Sequence, residues 1–145
     1  MGKGIFLNIP STGHVNPSLP TIRELVNRGE DITYVVTENL RTTVEPTGAR
    51  FVPYPDIPEL NHLDAMASSG NIPRNAYRLV TIGERLLPFM FDLMEREQPD
   101  YLLHDSLCGW GLMTARKFKL PTVATGSYPH LTLPTIFSVW TCEGS

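Results

Sequence analysis

Two short polar segments carry the side chains most able to do chemistry: Ser11-Thr12-Gly13-His14, after a first apolar run, and His104-Asp105-Ser106, after a fourth. A neutral imidazole at His14 can take a proton from an attacking hydroxyl. A carboxylate at Asp105 can orient that ring and stabilise the imidazolium that forms. The two residues are far apart in the chain, so they cooperate only if the fold brings the two strand ends together. A plainer reading stands beside this one: Gly13-His14-Val15-Asn16 as the turn and cap of a first helix, and Asp105 as the N-cap of a later one.

The intervening pattern says whether the segments meet. Gly4 to Ile9 is a short apolar run closed by Pro10 and reads as a buried strand. Asn16 before Pro17 suits an N-cap and first helical position, and Leu19, Ile22, Leu25 and Val26 follow at helical spacing to Arg28-Gly29. Asp31 to Thr37 and Arg50 to Tyr54 read as strands, with a short helix from Glu38 to Glu45 between them. Residues 56–70 read as a loop with a helical turn. Asn71-Ile72-Pro73 opens a long amphipathic helix through Met94, with a kink or break near Pro88. Tyr101 to Leu103 is a fourth strand, Gly109 to Lys119 a further helix, and Pro121 to Thr125 a fifth strand.

This strand–helix alternation predicts an α/β fold: a doubly wound, Rossmann-like parallel sheet with right-handed crossovers and strand order 3-2-1-4-5. In such a sheet the order reverses between the first and fourth strands. Sites form there, at the carboxyl ends, and His14 and Asp105 fall on both sides of that point.

Other chemistries find no support. There is no G-x-G-x-x-G, no G-x-x-x-x-G-K-[ST] and no G-x-S-x-G. The four histidines, His14, His62, His104 and His130, show no ligand spacing, so no metal site is expected. The chain has 145 residues, enough for one domain, of which 41% are hydrophobic and 19% charged. A net charge of −3 gives no basis for nucleic-acid binding. No run approaches a membrane span or a signal peptide. Cys108 and Cys142 form no disulfide framework, and a cytoplasmic setting is the expectation.

The motifs together resemble the amino-terminal half of the GT-B fold UDP-dependent glycosyltransferases of the macrolide glycosyltransferase-like family. Gly13-His14-Val15-Asn16-Pro17, Leu25-x-x-Arg28-Gly29, Ile32 to Val36, Gly48-Ala49-Arg50-Phe51, Pro99 to Ser106, Trp110-Gly111 and Leu120-Pro121 carry the resemblance in order. It implies that residues 1–145 are an incomplete Rossmann-like acceptor-binding domain, the truncated front of a GT-B fold, with the donor domain absent. It implies His14 as general base, Asp105 as its partner, and inverting, metal-free transfer. The partners implied are a hydrophobic small-molecule acceptor and a nucleotide sugar. That sugar, a UDP-sugar by expectation, is a substrate rather than a cofactor, held by a missing C-terminal domain or a partner chain. Thr12, Gly13, Phe89, Met90, Ser106 and Tyr128 are the acceptor-side candidates. Transfer by this chain alone is not expected. The alternatives are a split-enzyme subunit and a non-catalytic small-molecule-binding module.

Overall fold

The computed structural model describes residues 2–63, 70–125 and 138–140. Its sheet has the order β3-β2-β1-β4-β5-β6, formed by β1 (Lys3–Leu7), β2 (Asp31–Val36), β3 (Arg50–Pro53), β4 (Tyr101–Asp105), β5 (Thr122–Thr125) and β6 (Ser138–Trp140). The first five are parallel, in the expected order. β6 is a difference: it pairs antiparallel with β5, with Val123 opposite Val139, beyond the last of the five strands expected from the sequence. An antiparallel neighbour needs no helical crossover, so the strand–helix alternation that revealed the other five gave no signal for it.

The helices are α1 (Thr12–Asn27), the short α2 (Arg41–Val44), α3 (Ile72–Glu97) and α4 (Gly109–Phe118). α2 is flanked by 3₁₀ turns at Glu38–Leu40 and Glu45–Thr47, so Pro46 lies within this helical stretch and does not stop it. α3 is a single helix running through Pro88, so of the kink or break expected there the break does not occur. Asn71 caps it by accepting from the Arg74 N–H at 3.2 Å.

Side chains alternate across the strands, as the pleat requires, and feed two cores. Ile5, Leu7 and Leu102 pack with Ile82, Leu86, Met90, Leu93 and Trp110 on the α3/α4 face. Phe6, Leu103, Ile32 and Tyr34 pack with Val15 and Ile22 on the α1 face. Gly111 lets α4 sit close against β4: a Cβ there would come within 2.8 Å of the His104 Cβ. Among the described residues, no helix is long and apolar enough to cross a membrane.

Candidate active site

β1 and β4 are hydrogen-bonded neighbours, with Leu7 opposite His104. The chain segments that leave their carboxyl ends are therefore side by side. Asp105 is the last residue of β4, which runs two residues beyond Leu103, where the sequence reading ended the strand. By alternation it faces α1, while His104 faces α4.

His14 sits in the first turn of α1. This corrects the expected helix start at Asn16-Pro17. Ser11, in extended conformation, is the N-cap residue, and its carbonyl accepts from the His14 and Val15 N–H groups at 3.0 and 2.8 Å. Pro17 and Pro20 then lie inside the helix. Each lacks the N–H that would bond the carbonyl four residues earlier. The preference for proline in the first turn pointed to a start that the tertiary bonds around His14 override.

The two candidate residues meet. His14 Nδ1 and Asp105 Oδ2 are 2.9 Å apart. The His14 side chain is 32% exposed and that of Asp105 only 7%. The second carboxylate oxygen, Oδ1, accepts from the Leu107 N–H at 2.9 Å, an aspartate turn that fixes the carboxylate. Cys108, not Asp105, is the residue preceding α4 at its N-cap, so the helix-cap reading of Asp105 is corrected. A carboxylate can only accept. Nδ1 therefore carries the proton, and in the neutral ring the lone pair lies on Nε2, the arrangement a general base uses.

A buried polar network underlies the first turn of α1. Asn8, fully buried, donates from Nδ2 to the His14 carbonyl at 3.2 Å and to the Tyr34 hydroxyl at 2.8 Å. Its Oδ1 accepts from the Ile9 N–H at 2.8 Å. Ser18 Oγ donates to the Val15 carbonyl at 2.6 Å and lies 2.7 Å from the Tyr34 hydroxyl. On the other face, Trp110 Nε1 donates to the Tyr54 hydroxyl at 3.2 Å, and that hydroxyl donates to the Asn8 carbonyl at 2.9 Å. Burial pushes the Tyr34 phenol up to about 12, so it stays protonated and able to donate. Burial drives Tyr54 in the same direction. None of these residues was named from the sequence as a site candidate, and Trp110 entered only as part of the family resemblance. The available signal was Asn8, a polar residue inside the apolar run from Gly4 to Ile9.

His104 has a different role from its neighbour. It is 5% exposed, its Nδ1 lies 2.9 Å from the Asp105 carbonyl, and burial lowers its pKa below the ordinary 6.5. It is a neutral core ring packed against Gly111.

The remaining candidates are dispersed. Thr12 and Gly13 are exposed in the first turn of α1. A Cβ on Gly13 would meet only Ser11 Oγ, at 3.8 Å, so space opens beside His14. Ser106 is exposed after β4, and its N–H donates to the Thr125 carbonyl at 2.8 Å. Phe89 is half-buried and edge-on to Tyr54 at 6.2 Å. Met90 is fully buried in the core, which leaves it no surface to offer an acceptor here. A methionine at helical spacing on an amphipathic helix ordinarily serves packing. Tyr128 lies outside the described residues. A cavity of about 170 Å³ opens at the carboxyl ends of β2 and β3, lined in part by Thr37, Tyr54, Asp56, Ile57 and Asn61.

No family model matches the chain. Curated relatives do. The NDP-glycosyltransferase YjiC of Bacillus licheniformis is 32% identical over 119 residues, covering 80% of this chain and 30% of the relative. The oleandomycin glycosyltransferase of Streptomyces antibioticus is 32% identical over 117 residues, covering 81% and 27%. Among solved structures, the glycotransferase of kitacinnamycin superposes with a TM-score of 0.72 at 29% identity, over 86% of this chain and 30% of that one. A spinosyn rhamnosyltransferase bound to thymidine diphosphate, 19% identical with a TM-score of 0.72, shares the fold. The chain thus spans about 30% of the length of these relatives.

Proposed function

For a chain whose homologues are macrolide-type and NDP-sugar glycosyltransferases and whose fold is that of the GT-B enzymes, we propose that residues 1–145 form the acceptor-binding, base-carrying part of an inverting glycosyltransferase. The observation that carries this reading is the 2.9 Å contact between His14 Nδ1 and Asp105 Oδ2 at adjacent strand ends.

The chemistry follows from that contact. A hydroxyl of a hydrophobic acceptor lies against His14 Nε2. As its oxygen attacks the anomeric carbon of a nucleotide sugar, Nε2 takes the hydroxyl proton. The new carbon–oxygen bond forms on the face opposite the breaking bond to the nucleotide diphosphate, which leaves with the electron pair, and the configuration inverts. The imidazolium is stabilised by Asp105 and later returns its proton to solvent. The nucleotide sugar, a UDP-sugar in this reading, is held by groups outside residues 1–145, on the same polypeptide or on a partner chain.

The test is transfer from a UDP-sugar to a panel of phenolic and macrolide acceptors, using the protein as its source expresses it. His14→Ala is expected to lower the rate by about 10²–10⁴-fold, the size of a general-base contribution, with acceptor affinity retained. Unchanged turnover in that variant sinks the base assignment. Acceptor binding with no transfer by the parent protein favours a non-catalytic binding module.

A further inference from the structure

We infer that Asn8 is a positioning residue for His14, acting through the backbone of the first turn of α1 to hold the imidazole at hydrogen-bond distance from Asp105. This rests on the reading of His14 as the base, and concerns what keeps that base in place.

Both prolines of α1 fall close behind His14, so this turn lacks some of the helix's own ladder. Pro17 cannot donate to the Gly13 carbonyl, nor Pro20 to the Asn16 carbonyl. Ser11 makes no side-chain cap bond. The turn is instead fastened from below by side chains. Asn8 Nδ2 bonds the His14 carbonyl, and Ser18 Oγ bonds the neighbouring Val15 carbonyl.

The directions of these bonds are determined. Asn8 uses both Nδ2 protons, one on His14 and one on Tyr34. Ser18 gives its proton to Val15, so the Tyr34 hydroxyl must donate to Ser18. Tyr34 thereby accepts from Asn8 and donates to Ser18, closing a loop around the turn that bears His14. Asn8 is also where the other side of the site attaches. Its carbonyl accepts from Tyr54, which in turn accepts from Trp110 on α4, the helix that follows Asp105. One step beyond the Leu7–His104 register pair on each strand stand Asn8 and Asp105 themselves. Asn8 therefore ties the turn carrying the base to the elements carrying its carboxylate partner. Every polar atom of its side chain is used, which leaves one orientation.

The experiment is ¹⁵N and ¹H NMR of histidine-labelled protein, reading the His14 tautomer and the Nδ1 proton shared with Asp105. In the parent, His14 is expected as the Nδ1-protonated form with a retained, downfield hydrogen-bonded proton. Asn8→Asp keeps the acceptor for the Ile9 N–H but removes both donations, and Asn8→Ala removes all three bonds. In either variant, folded by its backbone spectrum, the Nδ1 proton signal is expected to be lost and the ring to shift toward the tautomer mixture of free imidazole. A folded variant with the parent's tautomer and shared proton overturns the proposal. If neither variant folds, Tyr34→Phe decides: it keeps the ring in the core and removes the hydroxyl that anchors Asn8. There the shared proton is expected to broaden and weaken, and an unchanged signal overturns the proposal. These readouts need neither donor nor acceptor. Failure of the parent to transfer sugar would therefore strike the functional reading alone, and an indifferent Asn8 the positioning reading alone.

Discussion

The two ends of the sheet solve the same problem by opposite means. At the amino ends, polar groups are joined by ion pairs at the surface: Lys3 Nζ to Glu97 at 3.0 Å, Arg50 to Glu97 at 3.2 Å and to Asp31 at 3.4 Å. At the carboxyl ends, neutral and fully buried groups do the joining, through Asn8, Tyr34, Tyr54 and Trp110, with a single carboxylate, Asp105, set among them. Exposed pairs tolerate many geometries and contribute little, because water competes for each charge. Buried hydrogen bonds admit few geometries, because any unmatched donor or acceptor has lost its water. The end with the buried network is also the end where His14 and Asp105 meet. Two tyrosines mark the contrast. Both phenols are pushed up to about 12, but Tyr34 is enclosed by Asn8 and Ser18, whereas Tyr101 lies against the Glu30 carboxylate at a partly open edge.

The comparison breaks most visibly at the carboxylate. Asp105→Asn replaces one charged oxygen with an amide that no longer stabilises an imidazolium, and transfer is expected to fall by about 10²-fold or more. Steady-state kinetics of the source protein with this variant checks it; a change confined to KM would mean that Asp105 serves binding alone. Next comes Tyr54→Phe. It strands the Trp110 N–H and the Asn8 carbonyl in the core and is expected to cost about 1–3 kcal/mol in urea unfolding.

His104 sharpens the contrast through pH. Its folded pKa lies below 6.5 because burial disfavours the charged ring. Just below pH 6.5 the unfolded chain therefore binds more protons than the folded one. Stability should be complete above 6.5 and decline as the pH falls through the folded pKa. Denaturant midpoints at a series of pH values should show this decline, and His104→Gln should flatten it. The smallest effect belongs to the amino end. Lys3→Ala is expected to change stability by less than about 1 kcal/mol, and by less still at high salt. A larger loss would mean that the ion pairs there matter as much as the buried network opposite.

How far the sequence reached differs between elements. The five parallel strands and their order were legible because each is an apolar run bounded by turn residues and separated by a helical period. β6 was not, since an antiparallel return strand leaves no such alternation. The start of α1 was misplaced by five residues because Asn16-Pro17 is a sound local start signal. What outweighs it is a set of bonds from Asn8 and Ser18, residues that a local window cannot assign to the turn. Asp105 could be singled out as a carboxylate near a strand end. That it closes its own turn with one oxygen and meets His14 with the other depends on β4 reaching two residues further than its apolar run.

The sequence by itself determined the class of fold, the two strand ends where chemistry could occur, and the identities of the histidine and carboxylate found there. These follow from residue type and period, which are local properties of the chain. Only the tertiary structure decided that His14 and Asp105 touch, that His104 turns away into the core, and that Asn8 stands beneath the turn. Those outcomes depend on strand pairing between residues nearly a hundred positions apart and on which face of the sheet each side chain takes. Moving a strand's register by one residue would exchange the faces of Asp105 and His104 while leaving every local pattern intact.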